Sequence, residues 1–411
     1  MPKENKIVVR IPPSPTGYFH VGRARTALFN YLFAKKHGGK IIFRFEDTDR
    51  ERSKPEFEED ILESLKWLGI TFNEGPFKQS GRAGLCRKYI EKMLEEGSAY
   101  ISKEAEGKNP EVIRFKNPNK KILFKDLVRG PVEFDTKELG DFIIARNIDD
   151  PLYHLAVVVD DFEMGITHII RGEDGISNTP RQILIQEAIG APRPEYAHVP
   201  LILAPDRSKL SGRHGAVSIR DYRAMGYLPE ALVNYLVLLG WNPGTEKEIW
   251  STAELIQAFD LSRIQKGGAI FDREKLNWIN KEHIKLLPQE EQNARVRKSV
   301  MDEFGSAPKI DREGLVCPEK LRRSANVTYQ DVAKHLEVVI GELEKLNEKN
   351  WSEESIKNAL WDYATEKGRG IVLWAMRYAL SGKEKSPDPF AIAGIIGKSE
   401  TLSRLRHATT L

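Results

Sequence analysis

Cysteine is nearly absent: the 411-residue chain has two, Cys86 and Cys317, far apart in sequence. That excludes a disulfide framework and any zinc site built on cysteine alone, and it suits a reducing compartment. An excess of charge of one sign is also missing. Lys plus Arg number 63 against 60 Asp plus Glu, a formal net charge of +3. This excludes a histone-like polycation but leaves room for a local basic face toward nucleic acid. No apolar run approaches the roughly 18 residues of a membrane span, and the N-terminal stretch meets Pro12 and Pro13 before any long apolar core. Neither a membrane segment nor a secretory signal is therefore expected, and the default location is the cytoplasm. Internal repeats and low-complexity tracts are absent. With 40% hydrophobic residues the chain has the composition of a folded protein, and its length corresponds to about two to four domains.

The N-terminal third carries an alternation of strand and helix signals. Lys6–Ile11 reads as a short buried strand, ended by the Pro/Gly-rich loop Pro12–Gly17. A helix is expected from Val21 to Lys36, stopped by Gly38 and Gly39. Lys40–Phe45 reads as a second strand that runs into the acidic stretch Glu46–Asp49. Ser53-Lys-Pro-Glu56 has the form of a helix start, with Ser53 as hydroxyl cap, and Phe57, Ile61, Leu65 and Leu68 fall on one face of the helix that follows. This order implies a βαβ unit and a parallel sheet.

From Gly75 to Asp149 short strand candidates (Val112–Phe115, Val132–Phe134, Phe142–Ala145) alternate with polar turns, as in an inserted α+β module. Leu155–Asp160 and His168–Arg171 read as returning buried strands, Thr179–Ile189 as a helix and Leu201–Leu203 as a further strand. Beyond Leu228 the pattern is mostly helical, with Glu342–Lys385 a charged helical stretch anchored by Trp351, Trp361 and Trp374.

Two short constellations could carry chemistry. The first, Pro13-Ser-Pro-Thr-Gly-Tyr-Phe-His20-Val-Gly22-Arg23, stands where the first strand turns into the first helix. In an open α/β sheet ligands bind at such carboxyl ends, and the helix N-terminus offers free N–H groups to a phosphate. It is neither a P-loop, since Arg23-Ala24 replaces Lys-Ser/Thr, nor a G-x-G-x-x-G turn. The second, Asp206-Arg-Ser-Lys209-Leu-Ser-Gly-Arg213-His214, packs several cations into one loop after a buried strand. Such a loop can be a solvated charge run or a device that stabilises phosphate charge in a transition state.

Together these stretches resemble the two signature motifs of class I aminoacyl-tRNA synthetases. The resemblance to bacterial glutamyl-tRNA synthetases is closer still. It extends over Arg10-Ile-Pro-Pro-Ser-Pro-Thr-Gly17, Ala27-Leu-Phe-Asn-Tyr-Leu-Phe-Ala34, Arg44-Phe-Glu-Asp-Thr-Asp49, Val158-Val-Asp-Asp161, Ile170-Arg-Gly-Glu-Asp174 and Phe271-Asp-Arg-Glu-Lys-Leu-Asn-Trp278, with Ala379-Leu-Ser-Gly382 and Ile395-Ile-Gly-Lys398 near the C-terminus.

The resemblance implies an α/β fold: a Rossmann-like parallel-sheet catalytic domain (1–78 and 153–226) interrupted by an acceptor-end-binding module (79–152). A stem-contact helical domain (227–308) and an abbreviated all-α anticodon-binding domain (309–411) follow. It implies ligation of L-glutamate to tRNA(Glu) through glutamyl-adenylate, with ATP and its Mg²⁺ as partners, in a monomer that engages no membrane. Carried over residue by residue, it places His20, Lys209 and Arg213 in catalysis. Thr16, Gly17, His20, Gly22, Lys209, Leu210 and Ser211 fall around ATP. Arg10, Pro12, Ser14, Glu46, Tyr153 and Arg171 fall around glutamate. Arg171 would face the side-chain carboxylate, a task suited to a fork-shaped guanidinium, and Glu46 would hold the α-ammonium group. Basic residues for tRNA would include Arg322, Arg323, Arg369, Arg377, Arg404 and Arg406.

Two departures stand out. Gly212 occupies a position where the second signature carries lysine, and Tyr100-Ile-Ser-Lys-Glu-Ala-Glu-Gly lacks the cysteines of the zinc loop in many relatives. No zinc and no other protein-held metal site is expected. The alternatives are a slow or non-catalytic tRNA- or nucleotide-binding relative, a paralogue that glutamylates a tRNA base and lacks the C-terminal helical domain, and a general nucleotidylyltransferase.

Overall fold

Strands β1 (Val8–Ile11) and β2 (Lys40–Phe45) are buried almost without interruption and pair in parallel, Val8 opposite Lys40 and Ile11 opposite Phe43. Burial on both faces is what a parallel sheet covered by helices demands, and it explains why these strands read as continuous apolar runs. They are seen in a computed structural model that describes residues 6–103, 110–211, 217–316, 318 and 327–411. Helix α1 (Val21–Lys36) crosses between them, α2 (Pro55–Trp67) follows β2, and β3 (Glu74–Lys78) adds a third parallel strand beside β2. The N-cap of α2 is Lys54 rather than the expected Ser53, and no side chain caps it. Pro55 at the first helical position supplies the start instead, since its missing N–H is one that the helix would leave unpaired anyway.

The inserted stretch contains α3 (Ala83–Glu95), β4 (Ala99–Lys103), β5 (Glu111–Phe115), β6 (Lys121–Asp126), β7 (Gly130–Asp135), β8 (Phe142–Asn147) and β9 (Asp150–Pro151). One antiparallel sheet runs β4-β5-β8-β9. The β6–β7 hairpin leaves it and joins the main sheet. There α4 (Tyr153–Glu163) is followed by β10 (His168–Gly172), α5 (Thr179–Ile189), β11 (Glu195–Val199) and β12 (Ile202–Leu203). The strand order is β10-β11-β6-β7, and β10 meets β1 through Thr167. The N–H of Val8 donates to Thr167 Oγ1 at 2.9 Å, and the N–H of Thr167 donates back to the Val8 carbonyl at 2.9 Å.

Residues 155–160 correct the sequence expectation: they lie in helix α4, not in a strand. The run Leu155-Ala-Val-Val-Val159 is buried on every side, and a helix with no solvent face shows no 3.6-residue alternation, so periodicity alone cannot separate it from a buried strand.

After α6 (Ile219–Ala224), α7 (Pro229–Leu238) and α8 (Thr252–Ala258), strand β13 (Ala269–Ile270) pairs with β12, and α9 (Arg273–Lys285) ends the first of two compact units, Met1–Leu286. The second unit, Leu287–Leu411, is built from α10 (Gln289–Phe304), α11 (Arg312–Leu315), α12 (Tyr329–Glu344), α13 (Glu353–Lys367), α14 (Arg369–Ser381), α15 (Pro389–Ile396) and α16 (Lys398–Thr409). The division falls before α10, earlier than residue 309, because Val300 and Phe304 of α10 belong to the same core as Leu336, Leu360, Met376 and Leu405. The indole N–H of Trp351 donates to the Ala393 carbonyl and that of Trp374 to the Gly314 carbonyl, both at 2.9 Å. Arg404 departs from the tRNA-facing role given above. It is buried and its guanidinium donates to the Leu380 and Gly305 carbonyls, so it closes helix ends inside the unit. Cys317, Arg322 and Arg323 lie outside the described residues.

Candidate active site

A cavity of about 1050 Å³ opens at the carboxyl ends of β1 and β10 and takes in the loop between β1 and α1. The carboxyl ends of parallel strands are where ligands of such folds bind. Arg10, Pro12, Ser14, His20, Gly22, Glu46, Tyr153, Arg171, Lys209, Leu210 and Ser211 all line it. Thr16 and Gly17 do not; their loop turns away, with Thr16 N–H donating to the Ser14 carbonyl at 2.9 Å. Gly212 and Arg213 lie outside the described residues.

His20 is the N-cap of α1. Its Nδ1 accepts from the N–H groups of Gly22 and Arg23 at 3.2 and 3.4 Å. Burial, reinforced by Arg23 and Lys209, pushes its pKa down to about 4. The ring is therefore neutral at pH 7. With Nδ1 occupied as an acceptor, its proton sits on Nε2, free to donate into the cavity. The glycine at position 22 has a steric reason: a Cβ there would lie 3.1 Å from both Nδ1 and Cε1 of His20. Gly22 thus makes room for the cap itself.

The rest of the first loop is pinned to its neighbours. Glu46 N–H donates to the Pro13 carbonyl at 3.1 Å, and Arg23 Nη1 to the Ser14 carbonyl at 2.5 Å. Ile219 N–H donates to the Phe19 carbonyl at 2.8 Å and Val21 N–H to the Val217 carbonyl at 2.9 Å. Leu210 N–H donates to the Ile202 carbonyl at 3.1 Å, and Lys209 reaches Asp174 at 3.3 Å from an exposed position. The first loop and the described flanks of the second are therefore held at one cavity wall.

The other group of lining residues stands on a buried ionic network. Arg10, only 2% exposed, donates from Nε to Asp161 Oδ2 at 3.3 Å, and its Nη1 has no hydrogen-bond partner. Arg44, fully buried, donates from Nη2 to Asp161 Oδ1 at 2.9 Å and to Glu46 Oε1 at 3.1 Å. Burial raises the Glu46 pKa despite the opposing pull of Arg44 and Arg10. The negative field of Glu46, aided by burial, pushes the Tyr153 hydroxyl up to about 12. Arg171 donates from Nε to His198 Nε2 at 3.1 Å and from Nη2 to Thr179 Oγ1 at 2.8 Å. A pocket with two converging guanidiniums and one buried carboxylate suits a small zwitterion that carries an extra carboxylate.

Sequence reasoning named no role for Arg44, Asp161, Asp126 or His198. Arg44 and Asp161 stood inside quoted motifs. Asp126 had a weaker signal: in β6 it takes an inward position of a strand that alternates exposed and buried.

Comparison with known proteins identifies the family. Residues 6–108 and 101–278 match the family of class I tRNA synthetases (E and Q), catalytic domain, and residues 312–409 match an anticodon binding domain. A glutamate–tRNA ligase of Carboxydothermus hydrogenoformans is 42% identical, covering 97% of this chain and 99% of its own length. One from Thermodesulfovibrio yellowstonii is 40% identical, with 97% and 98% covered. The crystal structure of a glutamate tRNA ligase from Elizabethkingia meningosepticum in complex with its amino acid superposes with a TM-score of 0.75 at 30% identity, over 98% of this chain and 99% of that one. At such identity over essentially the full length of each relative, the chain belongs to the glutamate–tRNA ligase family of class I tRNA synthetases.

Proposed function

We propose that the chain ligates L-glutamate to tRNA(Glu) in two steps, activation by ATP and transfer to the tRNA. The observation that carries this reading is a single cavity lined by Arg10, Glu46, Tyr153 and Arg171 together with His20, Gly22 and Lys209. In the first step an oxygen of the glutamate α-carboxylate attacks the α-phosphorus of ATP, and pyrophosphate leaves. In the second, a hydroxyl of the 3′-terminal ribose attacks the carbonyl carbon of the adenylate, and AMP leaves. Neither step needs a covalent bond to the protein, whose part is to position the reactants and to balance charge.

Arg171 takes the side-chain carboxylate and Glu46 the α-ammonium group, with Arg10, Pro12, Ser14 and Tyr153 completing the glutamate pocket. His20 donates from Nε2 to the nucleotide, Gly22 keeps the cap in place, and Lys209, Leu210 and Ser211 flank the phosphates. Arg213 acts with them when the nucleotide is bound. Mg²⁺ accompanies the nucleotide and neutralises phosphate charge when bound. The inserted module (79–152) binds the acceptor end, the helical part of the first unit from residue 227 the stem, and the second unit the anticodon. Their partner is a tRNA in the cytoplasm, and the working unit is a monomer. The base-modifying paralogue is disfavoured by the anticodon-binding-domain match over residues 312–409.

Glutamate-dependent ATP–pyrophosphate exchange, with and without tRNA, tests the reading in the wild type and in Gly212→Lys. Exchange is expected in the wild type, with a higher rate once the missing ammonium is restored. No exchange in either condition would overturn the assignment.

A further inference from the structure

The Arg171 guanidinium is held from behind by a relay that starts in the inserted hairpin. His198 is fully buried, and its Nδ1 lies 2.7 Å from Asp126 Oδ2. Asp126 also accepts from the N–H groups of Val128 and Arg129 at 2.9 and 2.8 Å and from His198 N–H at 3.1 Å. Burial alone would raise the Asp126 pKa, but these donors outweigh it and the group is held below the ordinary carboxylate range. Burial and Arg171 together keep His198 low, against the pull of Asp126. An ionised Asp126 facing a neutral imidazole accepts from Nδ1–H, so the ring proton stays on Nδ1. That leaves the Nε2 lone pair to accept from Arg171 Nε at 3.1 Å. The ring stacks on Tyr196 at 6.1 Å between centroids, which fixes its plane. The hairpin carrying Asp126 is tied down again by the ion pair of Arg129 with Glu173, two residues beyond Arg171.

We propose that Asp126 and His198 are positioning residues for Arg171: the hairpin of the inserted module selects the histidine tautomer that aims the guanidinium at the amino-acid side chain. The inference rests on the reading of Arg171 as the glutamate-side arginine. It makes the tautomer, not the presence of a ring, the thing that matters.

Asp126→Asn is the telling change. An amide keeps the shape but can donate to Nδ1, which moves the imidazole proton to Nε2, so that Nε2 no longer accepts from Arg171 and turns to Thr179 Oγ1 at 3.2 Å; it also gives up the acceptor of His198 N–H. Glutamate KM in tRNA-supported ATP–pyrophosphate exchange should rise about ten- to a hundredfold, the range for loss of a hydrogen bond to a charged group. ATP KM should stay within about twofold, and thermal denaturation should show a folded protein. His198→Gln supplies an amide oxygen as acceptor without a tautomer, so its glutamate KM should rise less than that of Asp126→Asn and should not rise further when Asp126→Asn is added. A folded Asp126→Asn protein with unchanged glutamate KM overturns the inference alone, as does a His198→Gln protein impaired equally toward glutamate and ATP. A wild type with no glutamate-dependent exchange overturns the functional reading and this inference with it.

Discussion

Removing the Arg44 side chain is the sharpest perturbation of the site that needs no ligand. Arg44 is fully buried among Asp160, Asp161 and Glu46, at 3.8, 2.9 and 3.1 Å. Replacement by methionine keeps most of the apolar stem and deletes one positive charge facing three carboxylates. Breaking a buried ion pair by removing one partner costs about 3–5 kcal/mol, because the remaining charge is stranded. In a unit of this size about 1 kcal/mol moves the midpoint by roughly 2–4 °C, so Arg44→Met should lower the thermal transition of the Met1–Leu286 unit by about 6–20 °C. The stranded carboxylates can relieve their repulsion by taking up protons, so the gap between variant and wild type should narrow as the pH is lowered from 7.5 to 5. Arg44→Lys retains the charge but loses the fork and should fall between the two. Calorimetry on the three proteins at both pH values decides the matter. A loss below about 1 kcal/mol, or one that does not change with pH, would refute the view that this guanidinium balances the network.

Three further outcomes are expected. Gly22→Ala places a methyl carbon 3.1 Å from two His20 ring atoms; displacing the cap should cost about 1 kcal/mol in denaturant unfolding and raise ATP KM severalfold, and an unchanged ATP KM would separate the cap from the nucleotide. His20 titrates near 4 in the fold and near 6.5 when unfolded, so the unfolded state takes up the proton first. Its stabilising contribution is complete above pH 6.5 and disappears as the pH falls toward 4; guanidinium midpoints at pH 7.5 and 4.5 should differ less in His20→Asn, which caps without titrating. Arg369 and Arg377 stack over Trp361 and Trp374 at 4.3 and 4.7 Å. If they meet tRNA phosphates, the double alanine variant should flatten the salt dependence of tRNA binding by about one unit of slope per lost contact, and an unaltered slope would assign them to the surface of the helical unit.

The parts of this fold that were legible in the sequence are those where local signals agreed. β2 was read to its ends because glycines precede an uninterrupted apolar run and acids follow it. α1 was read because Gly38 takes a φ of +61°, a backbone geometry open to glycine. Helix α4 was not legible because burial on all sides erases its period. Val132–Phe134 was legible as part of β7, but helix α3 and strand β6 fell in a polar stretch whose meaning depends on long-range pairing, such as Tyr196 opposite Asp126. The lining residues were named by motif. The residues that hold them, Asp161 behind Arg10 and His198 behind Arg171, come from segments about 150 and 27 residues away; Asp161 stood in a quoted motif without a role, and His198 had no local mark.

Helix α1 also has a mechanical meaning. Its 16 residues span about 24 Å at 1.5 Å per residue. One end is the His20 cap; at the other, Lys36 Nζ donates to the Phe259 carbonyl at 2.8 Å, while Arg25 in between donates to the Leu239 and Pro200 carbonyls. Buried along nearly all of its length, it ties the segment around residues 239–259 and the first loop to one continuous element.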